Sequence, residues 1–287
     1  MEPASIALTG ITLVAAIVNG ALGYGFSSIT VPVALLFLTA RVLNPALVPI
    51  EVALNAGVLW VNRRSIPKVW RRMLPIVAAL GPGIAAGTTL VSFVEPSWLK
   101  LLTYVTLVPL ILLQAAGFRR PIRSERSAGV AFGAGLGVIY SVTTISGPPL
   151  AVALNNQGLA QQEFRAALGI IRLTESTLTA IAYLLAGLYS RDSMALLLPI
   201  LPSIVVGIPI GAQLIRRIRP EMFRRVCMSF DAWIVGFGLS SVLRQLRIVD
   251  GRAAYLVFVA VALIDVWLLV RFFWRLRLAG ADESMAA

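Results

Sequence analysis

Histidine is absent from the 287 residues, cysteine occurs once and carboxylates number only 13. Without histidine or a second cysteine, the usual zinc and haem ligand sets cannot be assembled and no intramolecular disulfide can form. The few Asp and Glu are scattered, so no oxygen cage for a hard cation is visible, and neither a metal nor a cofactor is expected. No G-x-x-x-x-G-K-[ST] phosphate loop occurs, which excludes direct ATP drive by this chain. Charge is also scarce, at 13% against about 25% in an ordinary soluble domain.

What replaces charge is hydrocarbon. Hydrophobic residues make up 58% of the chain and the mean hydropathy is +0.86, which predicts an all-α polytopic protein of the lipid bilayer. No positively charged segment precedes the first apolar stretch and no small-residue cleavage site follows it, so that stretch is expected to remain as structure. The net charge of +12 sits in short clusters between apolar segments, not on one face, so no nucleic-acid partner is expected. Cys227, with no partner cysteine, reads as an ordinary buried thiol.

Uncharged runs set the spans, since one crossing takes about 20 apolar residues. Residues 43–62, 73–94, 101–118, 166–190, 194–215, 223–243 and 253–270 fit one crossing each. Runs 3–40 and 127–162 are too long for one helix, and each is broken near its middle, by "GYGFSS" and "SVTTISGPP". Both are expected to be helical hairpins of two short segments, because non-helical backbone survives at membrane depth only against protein or a watery cavity. Assigned on that basis, eighteen of the Lys and Arg fall on one side, in 63–72, 119–126, 165, 216–225 and 271–277, and six on the other. The positive-inside rule makes the first side cytoplasmic, with the N-terminus outside and the C-terminus inside.

"LPIVAALGPGIAAG" repeats as "LPILPSIVVGIPIG" 124 residues later, matching Gly83 to Gly207 and Gly87 to Gly211; Gly20 and Pro32 align with Gly137 and Pro149 in the two long runs. Because the copies lie in opposite orientation, the expected architecture is two inverted-topology repeats. Residues 1–118 and 128–243 form them, each a broken hairpin plus three spans, joined by a cytoplasmic linker at 119–127 and followed by an additional helix at 253–272. Inverted repeats with interrupted helices in matching positions point to a secondary transporter whose substrate sits where the breaks meet.

A half-helix starting at the midplane aims unpaired N–H groups and a positive dipole end into the cavity, which suits an anion. Tyr24, Ser27, Ser28 and Thr30 add hydroxyl donors at the first break; Ser141, Thr143, Thr144 and Ser146 do so at the second, beside Gly147. Pro32, Pro148 and Pro149 suit the first turns of the second half-helices. Ser, Thr and Gly also serve simple helix packing in membranes, and that role stands beside the binding one. Among ionisable groups inside spans, Glu51 and Asn55 share one helical face, and Arg172 and Glu175 another. They either pair with one another or handle substrate and protons, with Arg172 the fixed cation best placed for an anion. Asp231 and Asp265 are more isolated and are expected to be packing or interface groups.

The G-x-x-G-x-G break running into "PVALLFL", the mid-chain "SGPPLAVAL", the basic loop before "LPIVAALGPGIAAG" and the second "PSIVVGIPIGAQL" resemble the TauE/SafE family of membrane permeases. The resemblance implies export of small sulfur oxyanions or organosulfonates across the bacterial inner membrane, with the family's glycine-rich turns at Gly20, Gly23, Gly25, Gly137 and Gly147. Where relatives usually run consecutive glycines, this chain has Phe26 to Ser28 and Thr143 to Ser146. Export of sulfite or an organosulfonate, with proton coupling as a driving force, is the function expected; a permease for a carboxylate or thiosulfate is the alternative. A membrane-embedded enzyme is disfavoured because no acid–base, thiol or metal constellation is present, and a sensor subunit because no soluble domain is visible.

Overall fold

Long apolar segments cross a bilayer as helices because each backbone N–H and C=O must be satisfied within the segment. The computed structural model, which describes residues 3–116, 125–155, 159–218 and 220–285, consists of helices joined by short turns, with no strand among those residues. In chain order these are α1 (Pro3–Leu22), α2 (Phe26–Ala34), α3 (Ala40–Val61), α4 (Ile66–Phe93), α5 (Pro96–Ala115) and α6 (Glu125–Thr143). They continue as α7 (Gly147–Asn155), α8 (Gln161–Leu185), α9 (Arg191–Ala195), α10 (Leu197–Leu214), α11 (Pro220–Gln245) and α12 (Leu256–Met285). Among the described residues eight helical segments are long and apolar enough to span: the seven ordinary spans expected from the sequence, and α1. Phe93, Leu185 and Leu198 stand exposed on the outside, as lipid-facing residues do. Most of the expected linker, including Arg119, Arg120 and Arg123, lies outside the described residues.

Each long uncharged run does contain a hairpin, but not of two short arms. The first arms, α1 and α6, have 20 and 19 residues, and the second arms, α2 and α7, have nine each. The long arms are sustained by lengthwise packing. Along α1 and α10, Thr9 meets Ser203, Leu13 and Ala16 meet Gly207, and Ile17 and Ala21 meet Gly211, so the two helices run in the same direction. Along α6 and α4, Gly129 and Gly133 meet Ile76, Gly137 meets Leu80 and Ile84, and Val138 meets Gly87, again in the same direction. The glycines matched by the repeat are therefore the points where backbones touch. Gly20 and Gly137 belong to this set: both lie inside helices, not in the turns where the family resemblance puts them. Turn positions are held by Gly23 (φ 79°) and Gly25 (φ 104°), left-handed conformations that a side chain resists.

The counterparts α3 and α8 run antiparallel, Leu59 facing Gly169 and Glu51 facing Arg172. So do α5 and α11, where Tyr104 meets Gly238 and Gln114 lies with Arg224. Helix α2 starts beside Glu51, the twelfth residue of α3, and runs back to where α3 begins; α7 starts beside Glu175, the fifteenth residue of α8, and runs back likewise. Both hairpins thus turn back near mid-depth. Pro148 and Pro149 are in the first turn of α7 as expected, whereas Pro32 lies deep in α2 and not in its first turn. Its carbonyl accepts from the buried Tyr104 hydroxyl at 2.8 Å, anchoring α2 to α5.

Backbone contact at the repeat glycines sets the stability expected of their variants. An alanine methyl at Gly211 would overlap the Ile17 carbonyl, whereas at Gly81, also in a helix, it meets open space. Gly211→Ala should lose about 1–3 kcal/mol by overpacking and Gly81→Ala should stay within about 0.5 kcal/mol. Thermal unfolding in detergent measures both, and equal effects would dissociate the repeat from helix packing.

Candidate functional site

The two breaks meet. A methyl on Gly147 would come 3.5 Å from Ser28 Oγ and 3.6 Å from a ring carbon of Tyr24, so the start of α7 lies against the start of α2. Each break is tied to the following span by a buried serine: Ser27 Oγ donates to Glu51 Oε1 at 2.6 Å, and Ser146 Oγ donates to Glu175 Oε1. Neither serine caps its own helix, which leaves the first-turn N–H groups uncommitted. At α2 these are Phe26, Ser27 and Ser28, since Ile29 N–H is the first to find a carbonyl, that of Gly25 at 3.3 Å. At α7 only Gly147 has one to give, because Pro148 and Pro149 lack an N–H and Leu150 donates to Ser146.

Acceptors at the second break are used up. The last carbonyls of α6 would be orphaned by the interruption, yet Tyr140 O accepts from Thr144 N–H, Ser141 O from the Tyr183 hydroxyl, and Val142 O from Asn44 Nδ2 at 2.7 Å. The interruption passes through Thr144 at φ 54°, a left-handed conformation that costs a β-branched residue about 1–2 kcal/mol. Its hydroxyl donates to Thr143 O, those of Ser141 and Thr143 donate to Gly137 O and Ile139 O, and all three are buried. These three expected donors are therefore spent on the backbone. Thr30 is different: its buried hydroxyl has no partner.

Arg172 and Glu51 form a buried ion pair, Nη2 to Oε2, at 2.6 Å. Asn55 Nδ2 bridges Glu51 Oε2 at 3.2 Å and Arg172 O at 3.3 Å, so the expected faces of α3 and α8 do converge. Around this pair, Arg172 Nε, Glu175 Oε2 and the Tyr140 hydroxyl are buried without hydrogen-bond partners. Tyr140 lies within electrostatic range of Glu51, Glu175 and Arg172, and the sequence reading passed over it. Its position, one residue before the hydroxyl run of the second break, was the signal.

Below the meeting point a small cavity of about 20 Å³, room for one water, is lined by Tyr24, Ser28, Pro148, Arg224, Cys227 and Asp231 among others. Arg224, a loop base by the charge pattern, and Asp231, expected to be a packing or interface group, both face this cavity, and one Asp231 oxygen has no partner. Asp265 is not isolated: it accepts from Arg225 at 2.9 Å, fully buried between α11 and α12. No group of three or more His, Cys, Asp or Glu could hold a metal among the described residues.

The family model described as Sulfite exporter TauE/SafE matches residues 8–239, which takes in both breaks and every helix through most of α11. No curated protein and no solved structure matches the chain.

Within the bilayer an ion pair that loses one partner leaves an uncompensated charge. Arg172→Gln and Glu51→Gln should each cost about 3–5 kcal/mol, and the double variant should recover most of it. Thermal unfolding of the three proteins decides this, and purely additive losses would mean that the two side chains are not coupled.

Proposed function

The chain belongs to the sulfite exporter TauE/SafE family, and from that premise we propose that it exports sulfite or an organosulfonate as a proton-coupled secondary transporter of the bacterial inner membrane. The observation that supports this best is the meeting of two half-helix starts whose free groups are donors. Phe26, Ser27, Ser28 and Gly147 present N–H groups, the Ser28 hydroxyl and the Tyr24 ring lie beside Gly147, and the Thr30 hydroxyl, one turn along α2, is buried without a partner. Such a cluster of N–H donors suits an oxyanion. In this proposal Ser27 and Ser146 position the breaks, Ser28, Thr30, Tyr24 and Gly147 touch the anion, and Ser141, Thr143 and Thr144 shape the second break.

Charge balance supports the coupling. With Glu51 and Glu175 both ionised, the cluster around Arg172 carries one net negative charge and repels the substrate; a proton on Glu175 removes that charge. Glu175 has an oxygen free to take it, while both Glu51 oxygens are engaged. Two inverted repeats, residues 1–118 and 128–243, account for the antiparallel counterparts and the opposed hairpins, and their interface is where such transporters hold substrate.

Proteoliposome flux with sulfite, sulfate, thiosulfate, sulfoacetate and a carboxylate control tests the substrate. Sulfite or sulfoacetate should exceed the carboxylate, and an imposed proton gradient should accelerate them. Glu175→Gln should transport with the gradient dependence abolished. If the double variant Arg172→Gln with Glu51→Gln regains stability without flux, Arg172 serves the anion; regained flux would make it scaffold only.

Orientation has its own check. In a Cys227→Ala background, a cysteine at the exposed Arg217 should resist an impermeant thiol reagent in intact cells, and one at the exposed Asp192 should react. The opposite pattern would reverse the topology and the direction of export.

A further inference from the structure

The two halves differ where their first long arms meet the next span. Around the second hairpin, α4 of the first repeat lies along both α6 and α8, with Val69, Met73 and Ile76 in one core with Ala166, Ala167 and Ile171. The counterpart helix, α10, lies along α1 but does not pack on α3 as α4 packs on α8; the preceding α9 packs on α3 instead. The gap is a cleft of about 520 Å³ between α1, α3 and α10. Its mouth carries Arg165, Asn62 and Val61 on the side of the basic loops, and its inner end reaches Asn19, Gly20 and Gly23 at the first break.

Two observations say what fills it. Asn19 is 6% exposed and lines the cleft, yet its side-chain amide bonds to no described residue. The carbonyls of Gly20 and Ala21, freed by the break, also find no donor among the described residues, whereas that of Asn19 accepts from Gly23 N–H at 2.7 Å. Polar groups in that position are untenable against lipid and require water. At the mouth Arg165 is exposed and forms no ion pair with a described residue.

We infer that this cleft is the aqueous entrance by which the anion reaches the meeting breaks from the basic side, and that Arg165 draws it in. The inference rests on the export function proposed above for the destination of the path, but not for its hydration or its charge selectivity. A cation at the mouth of a low-dielectric cleft concentrates anions there, more so at low ionic strength. Around the second hairpin the fit of α4 on α8 fills the corresponding space.

The test uses the full-length protein in Cys227→Ala background with Gly57→Cys, a cleft position where a side chain meets open space, and Ala53→Cys as a second probe of the same wall. Two impermeant thiol reagents are applied in inverted vesicles, one ending in a sulfonate and one in a quaternary ammonium. The sulfonate should react faster, by roughly tenfold at low salt; Arg165→Gln should erase the preference and Arg165→Lys should keep it. Neither reagent should reach these cysteines in intact cells. Reaction with a lipid-soluble maleimide alone would make the cleft a lipid groove, and a preference unaltered by Arg165→Gln would remove Arg165 from the path; either outcome overturns the inference. Because labelling needs no turnover, selective labelling without sulfite flux would leave the entrance standing and defeat the substrate assignment. Flux without aqueous labelling would do the reverse.

Discussion

The hydroxyl of Ser27 donating to Glu51, and that of Ser146 donating to Glu175, are the bonds from which the rest of the site follows. A helix that begins inside a bilayer has no water to satisfy its first turn and no lipid group to hold it in place. Two carboxylates, each on the span that follows, fix where the short helices α2 and α7 begin. Burying two carboxylates is itself costly, and Arg172 offsets one of them through its 2.6 Å pair with Glu51. Breaks, carboxylates and arginine therefore form one unit: removing any member leaves a charge or a helix start without its partner.

The unit is not symmetric, and the asymmetry has a cause in chain length. From packing Gly20 to the left-handed Gly23 is three residues, whereas from packing Gly137 to the left-handed Thr144 is seven. The second long arm runs one helical turn further past its crossing point. Its end consequently reaches side chains of α3 and α8, and Asn44 and Tyr183 take up its last carbonyls. The first arm ends beside open space and leaves its carbonyls to water. One break has its carbonyls taken up by side chains, the other faces a cleft, and the two helix starts lie against each other.

Beyond the matched family segment, α12 is held to α11 by the buried Arg225–Asp265 pair and by Ser240, whose hydroxyl accepts from Phe258 N–H at 3.0 Å. The additional helix packs along α11, the helix that also carries Arg224 and Asp231. This gives Asp265 a packing role consistent with its burial.

Residues 3–40 and 127–162 announced their hairpins because composition is local: a run too long for one crossing and interrupted by Gly, Ser and Pro has few ways to fold in hydrocarbon. Spans, membrane class and the repeat glycines were legible for the same reason; that Arg172 is a pairing candidate was legible too, but its choice of Glu51 over Glu175 came only from how α3 and α8 cross. What a hydroxyl does with its proton was not legible. Ser27 and Thr143 are alike as residues beside a break, but one donates to a carboxylate from another helix and the other to Ile139 in its own. Nor could local pattern show that Arg224 turns into the cavity, or that α10 leaves α3 while α4 closes on α8. Those outcomes depend on the angle and depth at which distant helices cross, which only their mutual packing decides.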